Sequence, residues 1–270
     1  MTLGNGLMGL GSPQRWGLLV AIALLIGSCS NADAPGAINL PDSEKPVAVT
    51  PADTDLTAGL ARLEGKATVE IMVGSRTITV ELDGEKAPVT AGNFVDLAQK
   101  GIYDGTIFHR VVRSPEPFVA QGGDPQSADP NVPTSQLGTG SYEDANGLPR
   151  LIPLEILPLD AAEPVYGKTF PEARISSAPA LPHRRGAIAM ARSGVNTASA
   201  QFYITLADVA FLDGNYAVFG YVTEGMDVVD DIQLGDVIRS VTVKSGGDKL
   251  VQPAASDDAS ADDASAEDAE

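Results

Sequence analysis

The strongest constraint in this sequence is an alternation of apolar residues with a period of two. Val69, Ile71 and Val73 take every second position, Gly74-Ser75 interrupts them, and Ile78, Val80 and Leu82 resume the pattern. Successive side chains on a strand point to opposite faces, so this segment is predicted to be a β-hairpin with one buried face. Ile107 to Val112 follows the Asp104-Gly105 turn and is rich in β-branched residues, with Phe118 to Ala120 as its continuation or partner. Ala187 to Met190, Phe202 to Thr205, Ala217 to Val222 and Val237 to Val243 supply further strands. Helical spacing is confined to two places. From Pro88, which suits a first turn, to Gly101, which suits a stop, Val89, Phe94, Leu97 and Ala98 can share one face; Met226 to Ile232 is a shorter pattern. A mainly β chain with two helices predicts a closed antiparallel β-barrel capped by two α-helices.

Between Asp124 and His183 the chain is long and rich in Pro and Gly, irregular except for a short element at Leu151 to Leu157. Stretches of that length are functional or mobile. No internal repeat is found.

The ends of the chain read differently. Arg15 precedes an apolar run from Leu18 to Ile26, which is too short to span a membrane comfortably and has the form of an export signal. The only cysteine, Cys29, follows directly, so a disulfide within one molecule is excluded. Ile26-Gly27-Ser28-Cys29 resembles a bacterial lipobox, in which the cysteine carries the lipid; diacylation supplies the two buried chains that stable anchoring needs. The expected organisation is therefore a signal peptide at 1–28, a lipid-anchored flexible linker at 29–66, a folded domain at 67–245, and an acidic disordered tail at 246–270. Seven acids and no base follow Lys249, in a context of Ala and Ser that cannot offset chain entropy by burial. The formal charge of -18 repels phosphate backbones, which excludes nucleic acid as a partner.

Conventional catalytic clusters are thin. His109 and His183 are the only histidines, neither in a zinc-type spacing, and no nucleophile elbow or phosphate loop is present. Gly138-Thr139-Gly140 reads as a turn. Strand alternation turns His109 away from its neighbour Arg110, and His183, beside Arg184 and Arg185, reads as a surface or turn residue.

A set of short blocks stands out instead: Asn93-Phe94, Phe108-His109-Arg110, Phe118-Val119-Ala120-Gln121-Gly122-Gly123-Asp124, Met190-Ala191-Arg192, Gln201-Phe202-Tyr203-Ile204, Phe211-Leu212-Asp213-Gly214 and Phe219-Gly220. In that order they resemble the cyclophilin family of peptidyl-prolyl cis-trans isomerases, over about Ala67 to Ser245. The resemblance implies a cyclophilin-like barrel, Pro-containing polypeptides as substrates, no cofactor and no metal. It assigns catalytic roles to Arg110, Gln121 and Phe118, and puts Val119, Ala191, Arg192, Gln201, Tyr203, Phe211, Leu212 and Tyr216 around the substrate, with Gln201 supporting Arg110 from behind. The chemistry suits these residue types. Rotating an X-Pro bond breaks amide resonance, a barrier of about 20 kcal/mol, and needs no covalent intermediate. In the twisted state the prolyl nitrogen regains a lone pair, which a fixed, permanently charged guanidinium can address.

Three features depart from the family pattern. Val111 to Pro117 is longer than the corresponding turn of short members. Phe211 and Tyr216 stand where many eukaryotic members have Trp and His, and Tyr203 replaces a common Phe. The expected product is an exported, monomeric isomerase anchored through Cys29 to a bacterial membrane and facing the periplasm or a thylakoid-type lumen. The competing reading is a non-catalytic cyclophilin-like module that holds Pro-containing segments, with the 124–183 stretch as its distinguishing feature. Radioactive palmitate should label the wild-type protein in cells and not Cys29→Ala; equal labelling would remove the anchor from this reading.

Overall fold

The computed structural model describes residues 55–253. The expected signal at 1–28, Cys29, the linker up to residue 54 and the acidic residues from 254 lie outside the described residues. In chain order the strands and helices are β1 (Arg62–Leu63), β2 (Lys66–Val73), β3 (Arg76–Asp83), α1 (Pro88–Gln99), β4 (Arg110–Val112) and β5 (Val119–Gly122). They continue with β6 (Glu155–Ile156), β7 (Val165–Tyr166), the one-turn α2 (Phe170–Ala173), β8 (Ala187–Met190) and β9 (Phe202–Thr205). The last are β10 (Val218–Glu224), α3 (Met226–Asp231), β11 (Ile238–Ser245) and β12 (Leu250–Val251).

Eight strands form one curled antiparallel sheet in the order β11-β2-β3-β10-β8-β9-β5-β4. Its β2–β3 hairpin pairs Val69 with Val80 and Ile71 with Ile78, and all four are fully buried, as the alternation requires. Residues 105–108 ahead of β4 and 235–238 ahead of β11 join the two ends of the sheet. Four backbone hydrogen bonds of 2.8–2.9 Å link them around an Ile107–Val237 bridge. A short bridge, rather than a full strand ladder, therefore closes the seam. Inside, Phe94 from α1 contacts the rings of Tyr103, Phe202 and Phe219 at centroid distances of 4.8–5.4 Å, and Phe108 reaches Phe202 at 6.3 Å. This aromatic cluster fills the barrel below its helical cap.

Two boundaries differ from expectation. Ordered structure begins ahead of residue 67 and passes 245, because β1 pairs with β12, Leu63 is fully buried, and Gly247–Lys249 form a turn of 3-10 helix. Strands of two residues carry no periodicity, so the sequence there shows only the composition of the flanks. The β1–β12 ribbon also changes α1, which is buried along Val89–Ala98 rather than on one face. The chain at Ala61–Arg62 runs so close that a Cβ on Gly92 would lie 2.7 Å from the Ala61 carbonyl oxygen.

Helix α1 starts without a side-chain cap at Ala87. A carboxylate from β6 takes that place: Glu155, fully buried, accepts the N–H of Val89 at 3.1 Å, the N–H of Thr90 at 2.7 Å and the Tyr166 hydroxyl at 2.9 Å. Burial pushes its carboxyl above the usual range, against the pull of those donors. Asp96, near the other end of α1, accepts from Lys100, Arg150 and Gln252 at 2.6–2.8 Å. The long irregular stretch is thus fastened to α1 at Arg150 and at Glu155, and over a small core of Leu154, Ile156, Phe170 and Ala217. Replacing Glu155 with Ala leaves orphan helix N–H groups without water, so urea unfolding should report a loss of about 2–3 kcal/mol. Glu155→Gln, which keeps an acceptor oxygen, should lose less.

Candidate functional site

The outer face of β4, β5 and β9 carries the site because of their register. Arg110 stands opposite Gln121, and Gln121 opposite Tyr203, which sets these three side chains in one row across three strands. Their chain neighbours Ala120, Phe202 and Ile204 point into the core and are fully buried. The longer connection at 113–117 leaves this register intact: Val112 pairs with Val119, and Phe118 N–H donates to the Val112 carbonyl at 2.9 Å.

The row forms the floor of a groove of ≈ 420 Å³. One wall is apolar, made by Phe118, Val119, Tyr203, Leu212 and Tyr216. The Tyr203 and Tyr216 rings meet edge to face at 6.1 Å. The Arg110 guanidinium lies 5.6 Å from the centre of the Phe118 ring, so a cation borders the apolar notch. Ala191, Arg192 and residues 138–141 form the other side. Arg192 brings a second guanidinium, laid over the Tyr216 ring at 4.5 Å and donating to the Asn215 carbonyl at 2.6 Å.

A line of hydrogen bonds holds Arg110 from behind. Its Nη1 donates to Gln121 Oε1 at 3.2 Å, Gln121 Nε2 donates to Gln201 Oε1 at 3.3 Å, and Gln201 Nε2 donates to the Gly140 carbonyl at 2.8 Å. Each amide oxygen accepts and each amide nitrogen donates, which fixes the orientation of both glutamines. Gln201 therefore reaches Arg110 only through Gln121. The line ends on Asp124, whose carboxylate accepts the N–H groups of Gln126, Gly138 and Gly140 at 2.6–3.3 Å. A Cβ on Gly140 would collide with that carboxylate, so glycine is required there.

All the groove residues expected from sequence line this site except Phe211. That ring is 70% exposed and stacks on the outer side of Phe118 at 5.6 Å, bracing the wall without reaching the groove. Its turn, Ala210–Leu212, directs Leu212 inward instead. His109 lies off the groove, packed near Gly138, and burial pushes its imidazole pKa down. His183 departs furthest from expectation, since it is 2% exposed and bonded through both ring nitrogens, to Asp213 at 2.8 Å and to the Tyr203 hydroxyl at 2.9 Å. The neighbouring arginines hid this: Arg184 lies over the Tyr221 ring and Arg185 pairs with Asp230, so both turn outward while His183 turns in. Asp124 and Asp213 were also missed as organisers, because short polar residues beside glycine read as turns.

A family model described as cyclophilin type peptidyl-prolyl cis-trans isomerase/CLD matches residues 68–252. A provisionally named thylakoid lumen peptidyl-prolyl cis-trans isomerase of Synechocystis is 40% identical over 72% of this chain and 51% of its own length. A chloroplastic peptidyl-prolyl cis-trans isomerase of Arabidopsis thaliana is 35% identical over 71% of this chain and 45% of its own. A peptidyl-prolyl cis-trans isomerase of Helicobacter pylori is 35% identical over 66% of this chain and 86% of its own. The chain thus spans about half the length of the first two.

Proposed function

The chain belongs to the cyclophilin family of peptidyl-prolyl cis-trans isomerases, and from that premise we propose that it accelerates rotation about X-Pro bonds in exported polypeptides, with Arg110 as the donor to the prolyl nitrogen. The observation that carries this reading is the held guanidinium at the lip of an apolar notch, tied through Gln121 and Gln201 to the 138–141 loop.

Rotation begins with the proline ring seated against Phe118, Val119, Tyr203 and Leu212, where burial of its methylene groups holds one end of the bond. Gln121 and the extended segment at Ala191 and Arg192 engage the substrate backbone on either side. As the amide twists, its nitrogen becomes pyramidal and basic, and an N–H of Arg110 donates to it more strongly than in either planar state. Only such differential binding raises the rate. A barrier lowered by about 7 kcal/mol accelerates isomerisation about 10⁵-fold, a demand that one aimed cation and an oriented, water-poor notch can meet. Protons and electrons stay where they are throughout.

The thylakoid lumen and chloroplast named for two relatives support a setting beyond an export step, in keeping with the apolar run at Leu18 to Ile26. Anchoring through Cys29 rests on the lipobox pattern alone. The 124–183 stretch, which a pure binding module would use as its arm, is fastened to α1 by Glu155 and Arg150. That favours turnover in the groove over capture by a free loop.

Exchange NMR on an Ala-Pro peptide tests the reading. Wild-type protein should speed interconversion, and Arg110→Ala should lower kcat/KM by about 10²- to 10³-fold with KM little changed. Unchanged interconversion at saturating wild-type protein overturns the function, and full activity in Arg110→Ala overturns the assigned donor.

A further inference from the structure

Behind the proline notch a line of polar side chains runs from the wall residue Tyr203 through the buried His183 to the partly buried Asp213, and the mechanism above uses neither His183 nor Asp213. Tyr203, a wall of the notch and 5% exposed, meets His183 Nε2 through its hydroxyl at 2.9 Å. His183 Nδ1 meets Asp213 Oδ1 at 2.8 Å, and the same oxygen accepts the His183 backbone N–H at 2.8 Å. The His183 and Tyr203 rings are nearly parallel, 15° apart, at 6.1 Å. Three separate segments meet here: the approach to β8, strand β9, and the turn after Leu212.

The protons in this line follow from its chemistry. Asp213 is an acceptor, so the imidazole proton sits on Nδ1; Nε2 is then an acceptor, and the tyrosine hydroxyl must donate to it. The phenol hydrogen is thereby turned away from the notch. A wall meant to receive a proline ring would otherwise present a buried donor with no partner, which is costly. The line also braces the Tyr203 and Leu212 parts of that wall together, because Asp213 directly follows Leu212 and the Val209 N–H donates to the His183 carbonyl at 2.8 Å.

We propose that His183 and Asp213 are positioning residues for isomerisation: through the Tyr203 hydroxyl they hold one wall of the proline notch, and only the neutral imidazole holds it correctly. This rests on the isomerase reading above and extends it to two residues that touch no substrate. A second proton on Nε2 would reverse the bond to Tyr203 and send the phenol hydrogen to seek another acceptor, on the side where the notch opens.

The surroundings favour the neutral form. Burial lowers the pKa of His183 from 6.5, with Asp213 opposing that shift. The other charged or titratable groups nearby are engaged elsewhere: Arg184 with Tyr221, Arg185 with Asp230 and, through its N–H, Asp208, and Arg192 with Tyr216 behind Tyr203. A depressed folded pKa means that the contribution of the neutral imidazole is complete above 6.5 and is lost as pH falls below it toward the folded value.

Exchange NMR on an Ala-Pro peptide with blocked termini, from about pH 8 down to about pH 4.5, reads this directly. Wild-type kcat/KM should be flat near neutrality and fall about tenfold per pH unit below an acid limb under 6.5. Tyr203→Phe removes only the hydroxyl, and whatever its plateau, it should lose that limb. His183→Leu should lower the neutral plateau about tenfold by stranding the hydroxyl, and the double variant with Tyr203→Phe should recover most of the loss. Nitrogen-15 shifts should report His183 protonated at Nδ1 and bare at Nε2. Wild-type turnover with the same acid limb in Tyr203→Phe, or a proton found on Nε2 at neutral pH, overturns the relay and leaves the isomerase reading standing. No turnover at any pH overturns both.

Discussion

The working face of this protein depends on the register between β4, β5 and β9. Arg110, Gln121 and Tyr203 fall in one row because each is paired directly opposite the next. A slip of one residue in either pairing would send one of them into the core and bring an apolar neighbour to the groove. What prevents the slip is the other side of the same strands. Phe202 is locked into the ring cluster with Phe94 and Phe108, Ala120 and Ile204 are fully buried, and Gly122 lies where a Cβ would be 3.0 Å from the Ile107 carbonyl oxygen. The core specifies the site by leaving the strands no other way to sit.

Carboxylates do for the irregular part of the chain what strand pairing does for the sheet. Asp124 gathers N–H groups from residues 126, 138 and 140, Glu155 gathers those of 89 and 90, and Asp96 receives side chains from 100, 150 and 252. Glu155 sits where the fully buried N–H groups of residues 89 and 90 would otherwise lack partners. Burial pushes the Asp96 carboxyl up, and the donors from Lys100, Arg150 and Gln252 more than offset it, holding it below its ordinary range. A stretch poor in periodic structure is in this way given fixed points on α1 and on the groove. The 138–141 loop becomes a backstop for Gln201, and so for the guanidinium in front.

The parts legible in the sequence are those that repeat. Val69 to Leu82 alternates over enough residues to reveal both strands and their buried face, and Pro88 and Gly101 mark α1 nearly to the residue. The groove residues were legible as a family pattern; no single block among them specifies chemistry by itself. Hidden features share a physical character, since they join positions far apart in the chain with one or two bonds. The β1–β12 ribbon joins residue 62 to 251, Glu155 reaches back 65 residues to Thr90, and His183 reaches 30 residues forward to Asp213. Nothing local distinguishes such a histidine from an exposed one, and the two arginines beside it argued for the surface. Phe211 illustrates the opposite case: the family pattern puts it at the substrate, but the turn at 210–212 sends Leu212, not Phe211, into the groove.

Catalysis of a bond rotation asks one end of the substrate to stay while the other swings, and the groove is built unevenly in the same sense. Its fixed side is the sheet row with the braced wall of Tyr203 and Leu212; its other side is loop, at 138–141 and from Ala191 onward. Arg110 is exposed in the free groove and, among the described residues, donates only to Gln121, so its guanidinium faces solvent. In that state its charge is heavily screened. In the proposed mechanism, a peptide laid across the notch displaces the water that screens it, and the same guanidinium then acts across a few ångströms of low-dielectric space. On that proposal the substrate completes the electrostatic environment that lowers its own barrier, and the protein need only keep one cation and one dry notch at a fixed separation.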